Sequence, residues 1–184
     1  MQIHPQTLQN CIEQSLKNDE KAFRTIVESY QNMVYTLAFR LVCHQEEAED
    51  VVQETFIRVW LHLHRYRHDM KFSTWVYAIA TNICLDKLKS KKYRFDLGKA
   101  DFTMIDQLIS EEKADDKLLS SEMAEIIQAL TNELSPKQKV VFALRFFEDL
   151  EVEEIVKITG MSAAKIKSNL FLARKYIREK LERQ

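Results

Sequence analysis

Glycine and proline are nearly missing from this chain, two of each in 184 residues. These residues make most tight turns, so their scarcity disfavours an all-β architecture. No apolar run is long enough to cross a bilayer as a helix, and the N-terminus carries no basic-then-apolar signal. The expectation is a cytoplasmic protein without membrane insertion. Cys-x-x-Cys spacing is absent: Cys11, Cys43 and Cys84 are an odd set, expected to be buried, reduced thiols. The formal net charge is only −1, so a surface for a polyanion has to come from local segregation of charge.

What is present is helical periodicity. Phe23, Ile26, Val27, Tyr30, Val34, Leu37, Ala38 and Leu41 hold a 3.6-residue rhythm, with Asn18 or Asp19 placed to cap it. A shorter helix is expected from Leu8 to Leu16, and two more from about Glu46 to Leu63 and from Ser73 to about Lys92. From Asp96 to Ser121 periodicity weakens and acidic residues prevail, as in a mobile linker with a loosely docked turn around Phe102 to Ile109. An alternative for this segment is that it mimics nucleic acid or threads a basic channel. Met123, Ile126, Ile127 and Leu130 resume the helical pattern. The predicted fold is all-α, with two small helical domains, 1–96 and 122–184, joined by an acidic linker, 97–121.

The stretch from Asp50 to Arg94 concentrates the informative residues. Val51, Val52, Thr55, Phe56 and Val59 form one apolar stripe, and Phe72, Trp75, Val76, Ile79 and Ile83 form another. Arg65, Arg67, Lys71, Lys87, Lys89, Lys91, Lys92 and Arg94 outnumber Asp69 and Asp86. Cations beside aromatic side chains suit phosphates and unstacked bases. Trp75 shares the stripe of Phe72 and Val76, so it fits a core role as well as base stacking, whereas Tyr77 falls off that stripe and is expected to be freer.

The C-terminal part reads as a helix-turn-helix. Ser135-Pro136-Lys137-Gln138 is a capping-box start for a helix through Val140, Val141, Leu144 and Phe147. A short helix over Val152 to Ile158 follows. Gly160 supplies the positive φ that ends it, and Ser162 caps a long helix to Leu181. That helix is expected to bury Ile166, Leu170, Ala173 and Ile177 and to expose Ser162, Ala163, Ala164, Lys165, Lys167, Ser168, Arg174, Lys175 and Arg178. In a major groove Lys167 and Ser168 can reach base edges, while Phe171 suits a thymine methyl or the core. Arg174, Lys175 and Arg178 fit phosphates or plain solvation.

No catalytic constellation emerges, since serine, histidine and aspartate are scattered over different helices. His62 and His64 point about 200° apart on a helix and cannot share a metal there. His64 and His68 lack partners to complete a tetrahedral set. No glycine-rich phosphate loop exists. No catalytic residue, metal site or cofactor is expected, and nothing marks self-association.

Asp50-Val-Val-Gln-Glu-Thr-Phe-Ile-Arg-Val-Trp60, followed by Phe72-Ser-Thr-Trp-Val-Tyr-Ala-Ile-Ala-Thr-Asn82, resembles the second conserved region of bacterial extracytoplasmic-function sigma factors of the sigma-70 family. The helix-turn-helix follows in the order this family shows. The resemblance implies a protein that binds core RNA polymerase and directs promoter recognition. Asp50, Gln53, Glu54, Phe56 and Trp60 would dock on polymerase, although the polar three also fit a solvated face. The segment from Arg65 to Asn82 would open and hold the promoter's −10 element, through Arg67, Lys71, Ser73, Thr74, Trp75 and Asn82, with Lys89 beyond it. The helix-turn-helix would read the −35 element. Family habit also implies an anti-sigma partner. The chain departs from the pattern at Thr81, where arginine is frequent, at Glu151, where serine opens the short helix, and at Leu172, where a basic residue is common. The rival reading is a helix-turn-helix regulator that works without polymerase.

Overall fold

The computed structural model describes residues 3–94, 131 and 133–182. The expected linker, with its turn near Phe102, and the helix expected over Met123 to Leu130 lie outside the described residues. Among the described residues there are helices and no strand.

Four helices build the first domain: α1 (Pro5–Ser15), α2 (Glu20–Val42), α3 (Gln45–His62) and α4 (Phe72–Arg94). Asp19 caps α2 by accepting from the backbone N–H of Lys21 at 2.9 Å and of Ala22 at 3.2 Å. Such a cap contributes about 1 kcal/mol. The heptad-like rhythm of α2 turns Ile26, Val34, Leu37 and Leu41 inward to full burial. Val51 and Val59 of α3 and Val76 and Ala80 of α4 meet them there, each 0% exposed. A single 3-10 turn, Leu63–Arg65, ends α3 and opens the loop to α4.

The second domain holds α5 (Pro136–Phe146), α6 (Val152–Thr159) and α7 (Ala163–Leu181). The capping box at the start of α5 forms as its sequence predicts. Gln138 accepts from the Ser135 N–H at 2.9 Å, and the Ser135 hydroxyl accepts from the Gln138 N–H at 3.4 Å. Gly160 has φ +66°, and Ser162 accepts from the Lys165 N–H at 3.4 Å. The core is Val140, Val141, Leu144, Ile155 and Ile166, all 0% exposed. Ile177, expected in that core, is half-buried on the last turns of α7.

A chain so poor in glycine must turn by other means. Asn18 (φ +66°), Cys43 (φ +56°) and Asp149 (φ +50°) adopt the left-handed region instead. Asn and Asp tolerate it through local polar contacts. Cys43 ends α2 there, which leaves its side chain half-buried, not in the core as expected; Cys11 and Cys84 are buried.

The two domains are packed together: α4 lies against α6, and α2 and α4 both touch α5. Tyr77 is therefore 7% exposed, correcting the expectation of a free ring. Its position off the apolar stripe faces the second domain, where its hydroxyl donates to Glu148 Oε2 at 2.5 Å.

Candidate protein and nucleic-acid interfaces

Three surfaces carry the candidate residues. On α3 the stripe Val51, Thr55 and Val59 is buried, which turns Asp50 and Gln53 to solvent and leaves Glu54 half-exposed. Asp50 Oδ2 lies 3.5 Å from Lys87 Nζ, and Glu54 Oε1 accepts from Arg58 at 2.5 Å. Phe56 is 5% exposed and belongs to the core. Trp60 is half-buried, packed edge-on against Phe23 with centroids 4.8 Å apart.

Beside them an open apolar groove of about 540 Å³ is lined by Phe23, Gln53, Phe56, Ile57, Trp60 and Leu61. Ile57 and Leu61 are 60% and 58% exposed. Sequence reading passed over both. The available signal was two large aliphatic residues four apart on the polar side of an amphipathic helix, where burial within the domain does not account for them.

The second surface runs from the 3-10 turn along α4. Tyr66, Phe72 and Trp75 pack as a cluster with centroid distances of 5.0 Å, 5.5 Å and 5.6 Å. Trp75 is thereby half-buried, packed against the core. Tyr66 donates to the Met70 carbonyl at 2.9 Å and ties the loop back on itself. Arg67, Lys71, Asn82 and Lys89 are exposed and Ser73 is half-buried. Thr74 is 4% exposed and lies on the wall of a cleft shared with Lys71 and Glu154, so little of it is open to a ligand. Thr81 is fully buried with no partner for its hydroxyl, and so faces the interior.

The cations here are less free than their density suggests. Lys89 pairs with Asp86 at 3.2 Å, Arg67 with Asp69 at 3.6 Å, and Lys71 with Glu154 of α6 at 2.9 Å. The bond from Lys71, outweighing desolvation, holds the Glu154 carboxyl below the usual carboxylate range.

The third surface is α7. Ser162, Ala164, Lys165, Lys167, Ser168, Arg174 and Lys175 are all exposed. Phe171 is 66% exposed, which removes the core alternative for it. Leu172 is 45% exposed, and Arg174 lies over the Phe146 ring at 4.7 Å. Ile166, Leu170 and Ala173 anchor the opposite side, so one helix separates an apolar anchor from an exposed cationic face.

Glu151, a weak cap by type, turns its carboxylate to Arg145 at 2.9 Å. Glu154 reaches back to the Glu151 N–H at 3.4 Å. Arg145 also donates to the Leu150 carbonyl at 2.9 Å and pins the loop before α6. Burial pushes the Cys84 thiol up to about 12. No group of three or more metal-ligating side chains converges among the described residues, and no helix there is long and apolar enough to cross a membrane.

Comparison with known proteins is consistent across its three arms. The Sigma-70 region 2 family matches residues 26–94, and the Sigma-70 region 4 family matches residues 124–177. The chain is 32% identical over 176 residues to the ECF RNA polymerase sigma factor SigW of Bacillus subtilis, covering 92% of this chain and 94% of that one. It is 30% identical over 182 residues to the ECF RNA polymerase sigma-E factor of Escherichia coli K12, covering 96% and 95%. Among solved structures, CnrH in complex with the cytosolic domain of CnrY superposes with a TM-score of 0.68 at 18% identity, covering 97% of this chain and 99% of that one. RpoE in complex with the anti-sigma factor NepR from Bartonella quintana superposes with a TM-score of 0.66 at 18% identity, covering 88% and 98%. At these identities the two structures attest the fold. With both conserved regions in order and relatives matched along nearly their whole length, the chain belongs to the extracytoplasmic-function sigma factors of the sigma-70 family.

Proposed function

We propose that this protein binds core RNA polymerase in the cytoplasm and directs it to the promoters of a subset of genes. It supplies recognition and no bond-making chemistry of its own. Residues 1–96 form the polymerase-docking and −10 domain, 97–121 the connection, and 122–184 the −35 domain. Asp50, Gln53 and Glu54 flank the groove of Ile57, Trp60 and Leu61, giving polymerase an apolar seat with a polar rim. Phe56 supports that seat from the core. Arg67, Lys71, Ser73, Trp75, Asn82 and Lys89 form the surface for a separated −10 strand, with Thr74 beneath it. The α7 face from Ser162 to Lys175 enters the −35 major groove. Lys167 and Ser168 reach base edges there, and Arg174 and Lys175 hold phosphates.

The observation that carries this reading is the exposed, cationic α7 face standing on the same chain as an unfilled apolar groove. A helix-turn-helix regulator working alone uses the first and does not need the second. Of the two superposing structures, one holds CnrH with the cytosolic domain of CnrY and the other holds the sigma factor RpoE with the anti-sigma factor NepR. An anti-sigma partner is the corresponding expectation here.

Run-off transcription with core polymerase on genomic fragments tests the proposal. Adding this protein should create new, discrete start sites. Start sites that never change would refute it. Tight duplex binding by the protein alone, unaffected by core enzyme, would favour the polymerase-independent regulator.

A further inference from the structure

Where α2 meets α5, a thiol faces a buried amine. Cys43 ends α2 with φ +56°, its N–H donating to the Phe39 carbonyl at 2.9 Å. Of the three cysteines it alone is half-buried; Cys11 and Cys84 are buried. Lys139 of α5 is 6% exposed. Its Nζ donates to Cys43 Sγ at 3.3 Å, joining positions 96 residues apart.

We propose that Cys43 and Lys139 form an oxidant-operated crosslinking site, at which hydrogen peroxide joins the thiol sulfur to the lysine nitrogen and ties α2 to α5. The function proposed above has no use for this pair.

The placement of the amine is the first support. An ammonium is strongly hydrated, so lysine seldom goes inside a protein, and an apolar side chain of similar length fills such a position at less cost. Position 139 nonetheless carries an amine within bonding distance of a sulfur from another helix. Access is the second. A half-buried thiol admits a molecule as small as peroxide. Cys84 is 0% exposed, and burial pushes its thiol up to about 12, which keeps it protonated and inert. Oxidation is thereby directed to the one sulfur that has the amine beside it.

The chemistry needs one peroxide. The Cys43 sulfur attacks a peroxide oxygen, so that an S–O bond forms and the O–O bond breaks. The departing hydroxide takes the thiol proton and leaves as water, and the sulfur is now a sulfenic acid. Sulfenic acids condense with nitrogen as well as with thiols. The Lys139 ammonium gives one proton to solvent, and the free amine attacks the sulfur. An N–S bond forms, the S–O bond breaks, and the hydroxide leaves as water with a second proton from the nitrogen. Sulfur has lost two electrons and peroxide has gained them. A thiol reductant reverses the bond and returns both side chains. The chain thus records peroxide in a reversible bond between its two helical units.

The test exposes the full chain to hydrogen peroxide, caps the remaining thiols, digests the protein and reads the peptides by mass spectrometry. The peptide holding Cys43 should appear joined to the one holding Lys139, at their summed mass less two hydrogens, and dithiothreitol should separate them. A bond closing so long a loop restricts the unfolded chain, so the thermal midpoint should rise on oxidation by about 5 °C or more and fall back on reduction. Both readings are made on the wild-type chain and need no variant to fold. Lys139→Met keeps the length of the side chain and removes the amine. It should give oxygen adducts of Cys43 with no joined peptide and no rise in midpoint.

Peroxide that leaves Cys43 untouched, oxidises it without joining it to Lys139, or pairs it with another cysteine overturns the site. So does a joined peptide that survives dithiothreitol. Neither measurement uses polymerase or DNA, so failure here is distinct from failure of the function proposed above.

Discussion

The two surfaces proposed to meet DNA are prepared to very different degrees. The α7 face is complete as it stands, with its cap, cations and Phe171 all open to solvent. The α4 surface is partly closed: Lys71 is paired, Thr74 is walled in and Tyr77 is covered. Duplex DNA presents its groove at all times, so a rigid helix can wait for it. A separated strand exists only once the promoter opens, so a surface for it has no partner beforehand.

Substitution of the buried anchor should break the comparison most severely. Ile166→Ala removes a fully buried side chain from under the reading face and is expected to destabilise the second domain by about 2–5 kcal/mol. Chemical denaturation would show it, and fluorescence of Trp60 and Trp75 reports whether the first domain survives. Retention of full stability would mean that α7 is not held by the core described.

Ile57→Ala with Leu61→Ala sharpens the comparison from the docking side. Both residues are exposed, so folding stability should stay within about 0.5 kcal/mol of wild type, while affinity for core polymerase falls by roughly tenfold or more. Equal affinity in a pull-down titration would remove the groove from the interface. Gly160→Ala places a side chain at φ +66°, where nothing lies within 4 Å but the backbone itself is strained. A loss of about 1 kcal/mol is expected, from backbone alone.

Lys167→Ala should weaken −35 duplex binding by a few-fold and leave docking on core enzyme intact. Unchanged transcription from the protein's own promoters would refute its assignment.

The smallest effect is that of pH on the contact between the domains. Glu154 has its carboxyl lowered by the bond from Lys71, so its share of that contact's stability is present above the ordinary carboxylate range and lost as pH falls through the lowered value. The pair is largely exposed at Lys71, so solvent screening keeps its contribution small. Scattering at falling pH should show the molecule loosening before its helices melt.

Much of this molecule was legible in its residues. Ser135, Gly160 and Ser162 each announced a helix end, and Asn18 or Asp19 a further one that the structure gives to Asp19, because capping is a contact between near neighbours in sequence. The exposed cationic face of α7 was legible for the same reason, since every residue on it shares one helix. Ile57 and Leu61 carried a readable signal that was overlooked. Cys43 could not be read as a left-handed cap, because cysteine has no special preference for that conformation and only the turn into α3 demands it.

Sequence alone determined the helices, their caps and the sign of each face, since these depend on residues three or four apart. Only the tertiary structure decided which of those faces would be covered. Tyr77 and Glu148 are 71 residues apart, and Lys71 and Glu154 are 83 apart. Periodicity reports that a residue leaves its own helix's apolar stripe; what then meets it is settled by how the two helical units pack.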